Sequence, residues 1–309
     1  MIQQPIDVLE QFPIRKSKQQ KWEFTDAVAE YARKQGYPVA VEETRRGARN
    51  IVMGDPNGAK CLITAHYDTP ASIGLPNLIV PNRPLGFFGV QFLLVGILLA
   101  LAVGVGFLAY WLGATADTAY LIAYVVYMLI LVLMLRGPAN RSNANDNTSG
   151  VVTVLETLTA LPEQQRNKVC FVLFDLEEAG LVGSAGYRKL HKQATENQVV
   201  LNLDCVGDGD VIQLTPVKKA REDKALLEKL AAICGSTDGK ELRLRSQGFY
   251  KGSSDHKNFP KGVAIMALQY KKGIGLYCGR IHTWRDKILD RTNVAILRDA
   301  LIAFVCNTK

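Results

Sequence analysis

Histidines and carboxylates stand where apolar runs of this chain stop. His66 and Asp68, in Thr64-Ala65-His66-Tyr67-Asp68, follow the apolar run 61–63 and so emerge at the carboxyl end of a strand. That spacing suits a metal ligand with a nearby carboxylate that orients it, and it suits a satisfied structural histidine equally well. Asp146, in Asn145-Asp146-Asn147, opens a helix, where an acid is either a ligand or a simple N-cap. Glu177-Glu178 come just after the unbroken apolar run 169–174. Adjacent carboxylates repel and gain nothing for folding, so a solvated surface pair competes with a cation site. Asp204 ends the run 199–203, and an acid ending so apolar a strand needs a partner. His282 lies late in the chain, in Ile281-His282-Thr283-Trp284-Arg285-Asp286. Together these stretches supply two histidines and three carboxylates, with a spare Glu and a spare Asp. That is the donor set of a co-catalytic two-metal site for hard-to-borderline cations.

The elements that must position these groups are legible from periodicity. Apolar residues at helical spacing predict a helix over 17–35, ended by Gly36-Tyr37-Pro38. Strands are expected at 39–41, 50–53, 61–65, 169–174, 198–203, 211–214 and 263–269, and helices at 151–161, 184–192, 220–234 and 292–306. Strands alternating with helices predict an α/β protein, a sandwich around a mostly parallel or mixed sheet.

One segment does not fit a soluble domain. Between residues 86 and 135 the only ionisable side chain besides tyrosine is Asp117. Two apolar stretches, 86–113 and 119–135, bracket the roughly 20 residues that cross a bilayer. Tyr110, Trp111 and Tyr120 fall near their ends, where interfacial aromatics belong, and Gly104, Gly106 and Gly113 are commoner in membrane helices than in soluble ones. The expected organisation is a discontinuous globular domain, 1–85 and 136–309, interrupted by a two-helix transmembrane hairpin, 86–135. Arg83 precedes the hairpin and Arg136 and Arg141 follow it, while the turn 114–118 carries one acid and no base. The positive-inside rule then puts both flanks in the cytoplasm. The six scattered cysteines form no C-x-x-C pair, Cys61, Cys170 and Cys205 read as small buried hydrophobes, and the first twenty residues hold no apolar signal region. The expected location is the cell membrane, crossed twice, with the globular domain cytoplasmic. A net charge of +8 fits an anionic membrane surface; the bases are dispersed without interleaved aromatics, so no nucleic-acid partner is expected.

The ordered motifs resemble metallopeptidase family 28, the di-zinc aminopeptidases. A-H-Y-D stands at 65–68, N-D-N-x-S-G at 145–150, D-x-E-E-x-G at 175–180, N-L-D at 202–204, S-D-H-x-x-F at 254–259 and H-T at 282–283. The resemblance extends over nearly all of the chain outside the hairpin. It implies a zinc-peptidase-type α/β/α sandwich around a mixed sheet and two Zn2+ per chain. Asp146 would bridge the two ions; His66 and Asp204 would complete one, and Glu178 and His282 the other. Asp68 would accept the second ring N–H of His66, and Glu177 would be the general base toward the water between the metals. The Asp146–Asn147 peptide is expected to be cis. His256 is expected to be structural or pocket-lining, and His191, among Lys189, Lys192 and Gln193, a solvated helix residue. Several family members have a Tyr before the last His as oxyanion donor; here Ile281 takes that place, with Tyr250 or Tyr277 as substitutes or the metal alone in that role. The implied activity is hydrolysis of N-terminal residues from peptides with a free N-terminus. A glutaminyl-cyclase-like aminoacyltransferase and a non-catalytic membrane scaffold are the alternatives.

Overall fold

Every residue of Cys61–His66 and Val169–Phe174 is buried, as two-sided coverage of a central strand demands. The computed structural model describes residues 2–72, 75 and 77–307. The strands are β1 (Val39–Glu43), β2 (Arg49–Met53), β3 (Cys61–His66), β4 (Leu78–Ile79), β5 (Val169–Phe174), β6 (Val199–Leu203), β7 (Val211–Pro216), β8 (Gly235–Thr237), β9 (Lys240–Leu244), β10 (Lys261–Lys271) and β11 (Gly275–Gly279). They form one mixed sheet in the order β1-β2-β5-β3-β6-β10-β7-β9-β8, with β11 and β4 appended to the far end of β10. Its centre, β5, β3, β6 and β10, is parallel.

The helices are α1 (Val8–Gln11), α2 (Lys18–Lys34), α3 (Pro84–Trp111), α4 (Ala116–Arg136), α5 (Ser149–Ala160), α6 (Val182–Leu190), α7 (Lys192–Thr195), α8 (Lys218–Arg221), α9 (Lys224–Ala232) and α10 (Arg291–Cys306). Alternate strand residues face opposite layers, as a period of two requires. Ile63, Ala65, Phe171 and Leu173 pack with Phe24 of α2, Leu155 of α5 and Leu301 of α10. Leu62, Val172 and Phe174 pack on the other side with Tyr187 of α6 and Phe259. The result is the expected α/β/α sandwich around a mixed sheet.

Several boundaries differ from the periodicity. The helix expected over 220–234 is two, because Asp223 breaks the run and caps α9 by accepting from Leu226 N at 3.0 Å. Residues 144–148 form a kinked turn with non-helical φ/ψ at Asp146 and Asn147, so the following helix starts at Ser149 and Asp146 does not cap it. His191 is not solvated: its ring packs on Tyr187 at 4.4 Å and its Nε2 meets Glu42 at 3.0 Å. Cys61, Cys170 and Cys205 are buried free thiols, as expected.

Helices α3 and α4 are long and apolar enough to cross a membrane, with mean hydropathies of 2.8 and 2.4, and only 17% and 6% of their most apolar windows is buried. The segment after α4 is tied to residues 70–72: Ser72 N donates to Pro138 O (2.8 Å) and Asn140 N to Pro70 O (2.9 Å). The buried positions of the pair are Leu98, Ala102 and Gly106 on α3 and Ala119 on α4. A Cβ at Gly106 would lie 2.7 Å from Ala119 O and 2.9 Å from Ala123 Cβ, so only glycine allows this approach. Nothing lies within 4 Å of the corresponding position at Gly104. Gly106→Ala therefore lowers the stability of the detergent-solubilised protein by about 1–3 kcal/mol, whereas Gly104→Ala does not. Thermal melts of the two variants check this, and equal melting points would show that the helices do not meet at Gly106.

Candidate metal centre

Register sets the first level of the site. His66 lies opposite Phe174 and Ala65 opposite Leu203, so β5, β3 and β6 stop together. The residues just beyond them, Asp175 to Glu178 and Asp204, therefore emerge beside His66 at the carboxyl edge of the sheet. Sharp backbone turns aim them. Leu176, before Glu177, has φ +56°; Cys205, after Asp204, has φ +57°; His282 itself has φ +59°. Left-handed conformations are costly for such residues and tend to gather at functional sites.

The side chains converge. His66 Nε2 lies 3.3 Å from Asp146 Oδ1 and 3.8 Å from Asp204 Oδ1. His282 Nε2 lies 3.0 Å from Asp146 Oδ2 and 3.6 Å from Glu178 Oε1. Two donor triads, His66/Asp146/Asp204 and Asp146/Glu178/His282, each have ligand atoms within 4.8 Å of one another, and they share Asp146. Glu177 belongs to a third group with His66 and Glu178. Asp68 stands behind His66, its Oδ1 3.5 Å from Nδ1, a distance beyond a good hydrogen bond that leaves Nδ1 a buried atom without a partner. All seven residues singled out in the sequence thus come to one place. The Asp146–Asn147 peptide is cis.

Asp68 and a layer of further polar groups hold this arrangement. Asp68 accepts from both Glu177 N (3.0 Å) and Glu178 N (3.2 Å), so it fixes the glutamate turn as well as facing His66. Asp286 does the same for the next loop, accepting from Asn145 N (2.7 Å) and Asp146 N (3.0 Å). Asn147 donates to Leu203 O (2.9 Å) and accepts from Gly150 N (3.1 Å) and Cys205 N (3.2 Å), tying the Asp146 loop to the Asp204 strand. Gly150 is required there, since a Cβ would sit 2.7 Å from Leu203 O. Arg15, fully buried, donates to Tyr67 O (2.5 Å), Phe12 O (2.6 Å) and Thr148 Oγ1 (3.1 Å). Its pKa is lowered to about 10 by burial, against the pull of Asp68 and Asp146. In sequence Arg15 reads as one more base of a solvated N-terminal segment.

Electrostatics fits a cation at this place. Burial pushes Glu177 well above the usual carboxylate range; His66 opposes this, while Glu178, Asp255 and Asp204 add to it. Glu178 is raised in the same way by burial and by Asp146. Burial acts to lower His66, but the surrounding Glu177, Asp146, Asp204 and Asp68 prevail and raise it well above its ordinary value. Carboxylates and imidazoles crowded this closely are relieved by a cation held between them. Imidazole nitrogens and carboxylate oxygens are donors that zinc accepts. His256 is buried, 3% exposed, and lies outside the two triads. Asp255 beside it hydrogen-bonds Ser184 Oγ.

A cavity of about 360 Å³ opens onto these groups. Its apolar wall includes Ile79, Met266 and Ile281, and Phe87 and Gln91 of α3 close one side. Ile281 offers no donor, and neither Tyr250 nor Tyr277 is among the lining residues.

An α/β/α protein with acid–histidine triads at the carboxyl edge of its parallel strands carries the donor set of a metal site. Residues 126–305 match the model of Peptidase family M28, and the chain belongs to that family. Asp146, Glu177, Glu178, Asp204 and His282 fall within the matched span; His66 and Asp68 precede it. A probable leucine aminopeptidase of Arthroderma otae is 42% identical over 153 residues, 47% of this chain and 42% of that protein. The aligned part is thus less than half the relative's length. A Zn-dependent exopeptidase from Parabacteroides distasonis shares the fold, with a TM-score of 0.58, 15% identity and coverage of 98% of this chain and 97% of that one. A Tannerella forsythia glutaminyl cyclase does so too, with a TM-score of 0.56, 16% identity and coverage of 99% and 98%.

The buried His256 supplies a test of pH dependence. Burial lowers it to about 4 from the ordinary 6.5, so between those values the unfolded chain takes up a proton that the folded chain refuses. Its contribution is complete above about pH 6.5 and declines toward pH 4, by roughly 3 kcal/mol. Denaturant melts should show the wild type's margin over His256→Gln shrinking by that amount across this window; parallel curves would assign the effect elsewhere.

Proposed function

We propose that this chain is a membrane-anchored, zinc-dependent aminopeptidase with two Zn2+ held by His66 and Asp204, by Glu178 and His282, and by Asp146 between them. The observation that carries this reading is Asp146, whose two oxygens face different histidines at 3.3 and 3.0 Å. When bound, zinc supplies Lewis acidity toward the attacking water and the scissile carbonyl. Glu177 takes the proton from that water and returns it to the leaving amine, a role that its place on the cavity wall beside His66 and Glu178 supports. Asp68 is a positioning residue: it orients His66 and fixes the backbone of both glutamates. The cavity receives the substrate's N-terminal residue, with Phe87 and Gln91 against the peptide that follows. A glutaminyl-cyclase-like transfer is supported by the shared fold alone, whereas two triads sharing one aspartate favour the two-metal hydrolase.

The globular domain is 1–85 and 136–309, and 86–135 is the transmembrane hairpin. Exposed apolar helices of this length are supported by lipid far better than by water. With Arg83, Arg136 and Arg141 on one side and Asp117 on the other, the catalytic domain lies in the cytoplasm and its substrates are cytoplasmic peptides.

The two neighbouring glutamates separate chemistry from binding. Glu177→Gln keeps its zinc and loses turnover of aminoacyl-amides about a hundredfold or more, the scale of a general acid–base contribution. Glu178→Ala instead lowers metal content, read by elemental analysis. Near-wild-type turnover in Glu177→Gln would remove the base assignment, and a single zinc per chain in the wild type would favour the cyclase reading. For topology, a cysteine at Ala116 is labelled by an impermeant thiol reagent on intact cells while Cys306 is protected; the opposite pattern reverses the orientation.

A further inference from the structure

A second cavity, of about 460 Å³, opens at the foot of α3 and shares no lining residue with the first. Arg83, Arg243 and Arg245 line it, with Asn82, Glu241 and Tyr270. Three guanidiniums in one cavity call for anions, yet among the described residues the structure pairs them with a single carboxylate, Glu241, 3.9 Å from Arg243. Their remaining contacts are neutral. Arg83 donates to Gly273 O, Arg243 to Gln213 Oε1 and Arg245 to Phe249 O, each at 3.1 Å. Each guanidinium has five N–H donors, so most stay available. Arg245 Nε is buried with no acceptor at all. Burial and the nearby Arg243 and Arg221 also lower the Arg245 pKa, so the charge is in an unfavourable setting as it stands.

The site is built rather than accidental. Gln213, 1% exposed, accepts from Asn82 Nδ2 (2.9 Å) as well as from Arg243 and donates back to Asn82 Oδ1 (3.1 Å). That network ties Arg243 on β9 to the segment entering α3. Guanidiniums held in a fixed fork suit phosphate oxygens, which they bind bidentately. Position decides which phosphate. Arg83 immediately precedes Pro84, the first residue of α3; Leu85 is 92% exposed, and Tyr270 stands 70% exposed beside Lys271 and Lys272. An exposed aromatic and a cluster of bases at the start of an apolar span mark the headgroup level of a bilayer.

We propose that this cavity binds the phosphate headgroup of an anionic phospholipid in the leaflet that α3 enters. The lipid source rests on the reading of α3 and α4 as a membrane hairpin; the anion chemistry rests on the three arginines. A headgroup held there ties the β9–β10 side of the domain to the membrane surface and fixes the inclination of the domain on its anchor.

The test uses the full chain in a neutral detergent. Short-chain phosphatidylglycerol should raise its melting temperature, whereas short-chain phosphatidylcholine and inorganic phosphate at equal concentration should not. In the double variant Arg243→Gln/Arg245→Gln, phosphatidylglycerol should bind roughly thirtyfold more weakly, while zinc content and peptide turnover stay at wild-type levels. An equal shift with phosphatidylcholine, an undiminished shift in the double variant, or no shift at all would overturn the proposal. A shift of the same size with inorganic phosphate would replace the lipid with a free anion. Incorporation into lipid nanodiscs tests the hairpin separately: a chain that does not incorporate refutes the hairpin and the lipid source together, whereas one that incorporates without responding to phosphatidylglycerol refutes only the headgroup site.

Discussion

Crowding of like charge at one level of the sheet is the constraint to which the surrounding structure answers. Asp68, Asp146, Glu177, Glu178 and Asp204 stand around two imidazoles at the ends of β3, β5 and β6. At an effective dielectric constant near 20, two unit charges about 4 Å apart interact by about 4 kcal/mol, more than a surface ion pair returns. Only cations or protons relieve such crowding, and only a stiff frame holds it in place. The frame is mostly backbone. Asp68 and Asp286 each accept two consecutive amides, one pair from the glutamate turn and the other from the Asp146 loop. Arg15 adds a buried positive charge that acts on Asp68 and Asp146. Removing the frame would let the acids spread apart, so these positioning groups matter to the proposed chemistry as much as the donors do.

The hairpin is joined to that frame instead of hanging from it. Before it, β4 pairs with β11 and Arg83 donates to Gly273 O; after it, residues 138–140 are stitched to residues 70–72 by backbone hydrogen bonds. The start of α3 and the residue before it then take part in different cavities: Phe87 and Gln91 line the candidate metal centre, and Arg83, just before α3, the arginine cluster. On the proposed reading, a peptide entering the cavity passes Phe87 and Gln91, which belong to the first turns of the proposed membrane helix.

Much of this was legible in the chain itself. Unbroken apolar runs ending in acids or histidine identified β3, β5 and β6, because strands covered on both faces admit no other composition. His66, Asp68, Glu177, Glu178 and Asp204 lie where those runs stop, Asp146 and His282 stood out through the ordered motifs, and the hairpin through fifty residues nearly devoid of charge. These are local signals, set by composition and period. The short strands β4, β8, β9 and β11 carried no such signal, since their residues are few and partly exposed and pairing alone makes them strands. Arg15, Asp286, Phe87 and the Arg83–Arg243–Arg245 cluster were equally invisible. Each acts across a long sequence separation, and only the tertiary structure, by bringing a buried donor to a distant acceptor or three bases into one cavity, decides what such a residue does.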